Sequence, residues 1–177
     1  MNRHCLIVVD MQNDFIDGAL GFEGAKKVIP VIKEKIEHAR KVGHSIYFTM
    51  DTHDETYLDK EEGIHLPVKH CIEGTKGHEL TPEIGALKKE EDKVFVKHTF
   101  PSLDLGNTLA KEGFDSVELV GLVSNICVIS NAVIAKAALP DAHITVDAEA
   151  TAGPDKTLNE KALDILENLH IQIKHRR

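Results

Sequence analysis

Apolar residues follow two rhythms along this chain, and their alternation predicts its architecture. Short, near-continuous apolar runs stand at His4-Cys5-Leu6-Ile7-Val8-Val9, Ser45-Ile46-Tyr47-Phe48-Thr49, Lys93-Val94-Phe95-Val96, Val117-Glu118-Leu119-Val120, His143-Ile144-Thr145-Val146 and Ile171-Gln172-Ile173. Runs of this length and polarity suit strands covered on both faces. Between them the apolar positions recur at helical spacing. From about residue 25 to 42, Val28, Ile29, Ile32, Ile36 and Ala39 share one face, with Lys and Glu opposite. Pro30 is expected in the first turn of that helix, where its missing N–H costs nothing, and Gly43 at its end. Further helices are expected near 103–113, 125–139 and 155–169. The alternation predicts an α/β fold of three layers, α/β/α, around a six-stranded, mostly parallel sheet, as a single domain over residues 1–177. Residues 51–92 break the rhythm: polar, rich in His, Glu and Gly, with one short helix candidate near 82–87. This long connection leaves the carboxyl end of the second strand, so it is placed to fold over the crevice where open α/β sheets bind ligands.

With 177 residues, 42% apolar and 28% charged, the chain is expected to bury a substantial core. A net charge of −8 without a basic stripe argues against a nucleic-acid or membrane partner. No apolar stretch is long enough to cross a bilayer, and Met1 leads into a strand without a cleavage-site pattern. Three cysteines, Cys5, Cys71 and Cys127, do not make a disulfide framework. A reducing, cytoplasmic compartment is expected.

Three of the apolar runs end at groups that can carry chemistry. Cys127 follows Gly121-Leu122-Val123-Ser124-Asn125-Ile126 and opens an almost wholly apolar helical stretch. A buried cysteine is commonly inert packing. In the first turn of a helix, however, a lowered thiol pKa is expected, and the Cys127 N–H would point where an oxyanion hole needs it. Asp10, after Val8-Val9, reads as a turn residue or as a general base. Lys97, after Val94-Phe95-Val96, reads as a lysine entering solvent or as a cation favouring both anionic neighbours. A non-catalytic sensor would have no need of all three.

Taken together, Leu6-Ile7-Val8-Val9-Asp10-Met11-Gln12-Asn13-Asp14-Phe15, His70-Cys71-Ile72-Glu73-Gly74-Thr75-Lys76-Gly77, Gly121-Leu122-Val123-Ser124-Asn125-Ile126-Cys127-Val128 and Val146-Asp147-Ala148 resemble, in order, the motifs of isochorismatase-like cysteine hydrolases. The resemblance implies an isochorismatase-like, Rossmann-like fold and a triad of Asp10, Lys97 and Cys127. It also implies a cis peptide at Leu122-Val123 that turns the Val123 N–H toward the substrate oxygen beside that of Cys127. Asp51-Thr52-His53 and His70 stand where the nicotinamidase branch holds a metal. That implies a divalent ion (Zn²⁺, Mn²⁺ or Fe²⁺) on Asp51, His53 and His70, with Glu61 or Glu62 as a further contact, Glu62 by the better spacing. His65 and His78 are weaker candidates. The implied reaction cleaves the carboxamide of nicotinamide through a thioester. The alternative is a metal-free relative acting on another small amide, carbamoyl compound or ureide. The sequence departs from the family at Leu66-Pro67-Val68-Lys69-His70, where many relatives have Trp-Pro and one residue fewer, and at Ser124-Asn125. It has no tryptophan, so an aromatic clamp would come from Phe15, Tyr57 or Phe100. By analogy with relatives, a homo-oligomer, dimer or tetramer, is expected.

Overall fold

The computed structural model describes residues 3–176. Six strands, β1 (His4–Val9), β2 (Ser45–Asp51), β3 (Lys93–Lys97), β4 (Ser116–Leu122), β5 (His143–Ala152) and β6 (Gln172–Lys174), form one sheet in the order β3-β2-β1-β4-β5-β6. Every neighbouring pair is parallel. Two apolar layers sandwich it. One packs Leu6, Val8, Phe48 and Val120 against α2 (Ala25–Lys41) and the short turns α1 (Asn13–Ile16) and α4 (Pro82–Gly85). The other packs Ile7, Val9, Leu119 and Val146 under α5 (Leu103–Glu112), α6 (Ile129–Ala138) and α7 (Lys156–Asn168). A further turn, α3 (Glu61–His65), lies in the long connection after β2.

Local chemistry accounts for the helix ends. Gly43, at φ +76°, lets its own N–H reach Arg40 O and that of His44 reach Ala39 O, closing α2 in the paired bonds of a left-handed C-terminal cap. Ser102 and Asp155 cap α5 and α7 by accepting from the N–H groups of Leu105 and Leu158. Gly121 is required by close approach, because a Cβ there would lie 2.1 Å from Val9 O on the neighbouring strand.

The helix expected from about residue 25 does begin there, but three details differ from the sequence reading. Helix α2 begins at Ala25, so Pro30 sits in its second turn on the exposed side, where the Lys26 carbonyl can meet water. Strand β5 does not stop at Val146: a bulge opposite Leu119–Gly121 absorbs four residues, and pairing resumes at Thr151. The helix expected over 125–139 opens with a wide π-type turn, Ser124–Val128, before α6. Among the described residues no helix is long and apolar enough to cross a membrane.

The order β3-β2-β1-β4 has a functional consequence. The chain winds outward from β1 to β3, then returns to place β4 on the other side of β1. Its direction reverses between β1 and β4, where adjacent loops part and leave a crevice at the carboxyl ends of the strands.

Candidate active site

Four strand ends converge there. Asp10 follows β1, Asp51 and Lys97 close β2 and β3 and are register partners, and Cys127 lies in the π turn after β4. All four are buried. Asp10 takes a positive φ of 47°, an arrangement rare outside glycine that turns its carboxylate off the strand line. Thr49 Oγ1 donates to Asp10 Oδ1 at 2.6 Å.

Lys97 is the hub. Its Nζ lies 2.7 Å from Asp10 Oδ2, 3.2 Å from Asp51 Oδ1, 3.2 Å from Thr99 O and 3.6 Å from Cys127 Sγ. An ammonium has three protons to share among these neighbours. Burial works against its charge, but Asp10, the Cys127 sulfur and Asp51 together raise its pKa, so it stays cationic. Burial also raises Asp10, making it a stronger base than an ordinary carboxylate although Lys97 pulls the other way.

The expected depression of the Cys127 thiol is not found. Burial, and after it the Asp10 charge, push that thiol well above its ordinary value, outweighing Lys97. Asp10 and the Cys127 sulfur share Lys97 as their common neighbour. The resting nucleophile is therefore a protonated thiol, and attack requires transfer of its proton.

The Leu122-Val123 peptide is cis. Asn131, on the first turn of α6, fixes the turn that carries Cys127. Its Nδ2 donates to Cys127 O at 2.8 Å and Phe100 O at 3.0 Å, and its Oδ1 accepts from the Ser102 N–H. One buried amide thus ties the nucleophile turn to the loop after β3.

The second carboxylate oxygen of Asp51 opens another cluster. Asp51 Oδ2 lies 3.1 Å from His53 Nε2 and 3.3 Å from His70 Nε2, and Glu62 Oε1 lies 3.5 Å and 3.6 Å from the same two nitrogens. The four ligand atoms fall within 4.8 Å of one another. The donor set fits a divalent cation. His70 Nδ1 sits 2.8 Å from Val68 O, which holds the ring proton there and leaves the Nε2 lone pair facing the cluster. Between the two glutamates left open by spacing, Glu62 faces the cluster and Glu61 points to solvent beside His65. His78 is outside it, bonded to Thr52 Oγ1.

The three aromatic candidates part company. Tyr57 is buried, its hydroxyl donates to Leu66 O, and its ring packs 4.7 Å and 5.0 Å from the His53 and His70 imidazoles. It buttresses the cluster. Phe15 lies edge-on to His70 at 5.7 Å, and Phe100 is 38% exposed on the loop after β3.

Like Asn131 and Thr49, Gln12 has no assigned role in the sequence reading. The buried Gln12 amide accepts from the Asp51 N–H and donates to Asp51 O and His78 O, each at 2.8 Å, so it fixes the Asp51 backbone. Its place between Asp10 and Phe15 was the only local signal.

Residues 4–174 match the isochorismatase domain. The chain belongs to the isochorismatase family. Within this family of hydrolases, a protein of Arabidopsis thaliana described as a probable inactive nicotinamidase is 30% identical over 179 residues, covering 96% of this chain and 89% of that one. The nicotinamidase of Acinetobacter baylyi is 28% identical over 180 residues, covering 83% of this chain and 81% of its own. The pyrazinamidase of Pyrococcus horikoshii in complex with zinc superposes with a TM-score of 0.85 at 27% identity, covering 97% of this chain and 98% of that one.

Proposed function

We propose that this protein hydrolyses the carboxamide of nicotinamide to nicotinate and ammonia. The observation that carries the reading is the position of Lys97, in contact with the Asp10 carboxylate, the Cys127 sulfur and the Asp51 carboxylate that faces His53, Glu62 and His70. Similarity to the nicotinamidase of Acinetobacter baylyi supports the substrate.

In this reading Asp10 takes the Cys127 proton as the sulfur attacks the carboxamide carbon. The carbonyl electrons move to oxygen, which the Val123 and Cys127 backbone N–H groups receive. Asp10 returns the proton to the amide nitrogen, the C–N bond breaks, and ammonia leaves a thioester on Cys127. A water then loses a proton to Asp10 and attacks the thioester. Collapse expels the sulfur, which recovers the proton, and nicotinate departs. Lys97 stays charged throughout and stabilises whichever of Asp10 or Cys127 is anionic. A divalent ion held by Asp51, His53, Glu62 and His70 would supply a Lewis-acid anchor for the pyridine nitrogen, orienting the amide toward Cys127.

A second reading, hydrolysis of another small amide, carbamoyl compound or ureide, is favoured by one observation. The chain has no tryptophan and Tyr57 is occupied with the imidazoles, leaving Phe15 and Phe100 to clamp a ring. Ammonia release from nicotinamide, pyrazinamide and non-aromatic amides separates the two. Turnover of nicotinamide by the wild type and its loss in folded Cys127→Ala is the expected result; ammonia released equally by Cys127→Ala overturns the mechanism.

A further inference from the structure

The loop that carries His70 is held by a residue that takes no part in the chemistry above. Asp14, half-buried on α1, accepts the Cys71 N–H on Oδ2 at 2.7 Å and the Ala19 N–H on Oδ1 at 3.2 Å. Among the described ion pairs none involves it; its partners are neutral backbone donors. Cys71 comes directly after His70 and takes a φ of +46°, a conformation that side-chain-bearing residues adopt only under constraint. Its carbonyl in turn accepts the His53 N–H at 2.9 Å, and the Glu73 N–H returns to His53 O at 2.8 Å. Cys71 is therefore the joint between the two imidazoles, pinned on its N–H side by Asp14 and on its C=O side by His53.

The space for this carboxylate is made by two glycines. A Cβ on Gly77 would lie 2.2 Å from Asp14 Oδ2, and one on Gly18 would lie 2.4 Å from Oδ1. Gly77 O also accepts the Asp14 N–H at 3.0 Å, so the loop closes around the side chain. Asn13, the neighbouring residue, ties the same loop at a different place, through its Nδ2 to Lys76 O at 2.7 Å.

We infer that Asp14 is a positioning residue that holds His70 against His53 and thereby sets the affinity of the Asp51–His53–Glu62–His70 cluster for a divalent cation. The inference rests on the metal reading of that cluster. Losing the Asp14 bond frees Cys71 to leave its constrained conformation, and the Nε2 of His70 then spreads from the other three ligand atoms. Partners that orient a ligand from one step away commonly govern affinity by about 10–100-fold.

Zn²⁺ affinity is measured by competition with a chromophoric chelator, and the Co²⁺ form is followed by its visible d–d absorption. Asp14→Ala is expected to weaken Zn²⁺ binding by about 10–100-fold and to alter the Co²⁺ spectrum. Gly77→Ala keeps Asp14 but crowds its carboxylate, and is expected to weaken binding too, which serves if Asp14→Ala does not fold. Asp14→Asn keeps an acceptor for the Cys71 N–H and should recover most of the affinity. Asn13→Ala, which loosens the loop without touching Cys71, should bind as the wild type does. Folded Asp14→Ala or Gly77→Ala proteins with wild-type affinity would overturn the inference, as would Asn13→Ala weakening binding as much as Asp14→Ala. Failure of the wild type to take up Zn²⁺ would overturn the metal reading first, and this inference with it.

Discussion

Two charge networks lie against the sheet, one half-buried and one buried, and they are built differently. In the cleft between α2 and the β4–β5–β6 face, Lys35 bridges Glu118 and Asp147 at 2.6 and 2.5 Å, Lys174 joins Glu118 at 3.0 Å, and His175 joins Asp147 at 2.8 Å. That cleft is roomy, about 600 Å³, yet its charges answer one another. At the carboxyl ends of the strands, one ammonium serves two carboxylates and a sulfur, and two further acceptors face two imidazoles. Here the polar groups converge beyond what mutual pairing requires. Such surplus marks the reactive centre better than the volume of a cleft does.

Exchanging the cation in each network breaks the comparison most sharply. Lys97→Met is expected to lower kcat/KM for amide hydrolysis more than about 1000-fold, because Asp10 and Cys127 lose their shared counter-charge. Lys35→Met should leave kcat/KM within about two-fold while lowering stability by about 2 kcal/mol, since it removes the ammonium shared by Glu118 and the buried Asp147. Steady-state kinetics and thermal melts on both variants decide it. Equal activity losses would erase the distinction between the two networks.

The cleft also makes a pH prediction. Burial opposes ionisation of Asp147 and Glu118, but their bonds to Lys35, with His175 and Lys174, hold both carboxyls below the usual carboxylate range. A depressed folded-state pKa contributes stability that is present above the unfolded pKa of about 4 and lost as pH falls below it. Melting temperature should therefore drop from pH 5 to pH 3, and drop less steeply in Lys35→Met.

The smallest effect is on the thiol. Since burial and Asp10 raise Cys127, its alkylation by iodoacetamide in the free enzyme should keep accelerating through and above pH 9. A rate already level below pH 8 would contradict the raised value.

Much of this was legible in the chain because β-strands are short and their ends are marked. Asp10 and Lys97 each terminate an apolar run, and Cys127 comes after one at the head of an apolar stretch. Parallel pairing then brings those ends to one edge. The cis Leu122-Val123 peptide and the candidate metal ligands of the 51–92 connection came from matching motifs, whereas the connection's place over the crevice came from its length and its start at the end of β2. What local pattern did not show depends on contacts between distant residues. Gln12 reaches Asp51 across 39 positions, whereas Glu62, which spacing already favoured over Glu61, does face the cluster. The thiol went the other way because burial and the neighbouring Asp10 raise it. The long β5 was hidden by its bulge, which interrupts the apolar alternation at Asp147–Ala150.

In the proposed function, thiol, base, ammonium and the Asp51–His53–Glu62–His70 cluster work as one amidase centre. The most direct test is ammonia release from nicotinamide by protein stripped with a chelator and then titrated with Zn²⁺ or Mn²⁺. A single centre predicts activity that vanishes on stripping and returns as about one equivalent of metal is bound. Full activity in protein shown by elemental analysis to be metal-free would contradict it.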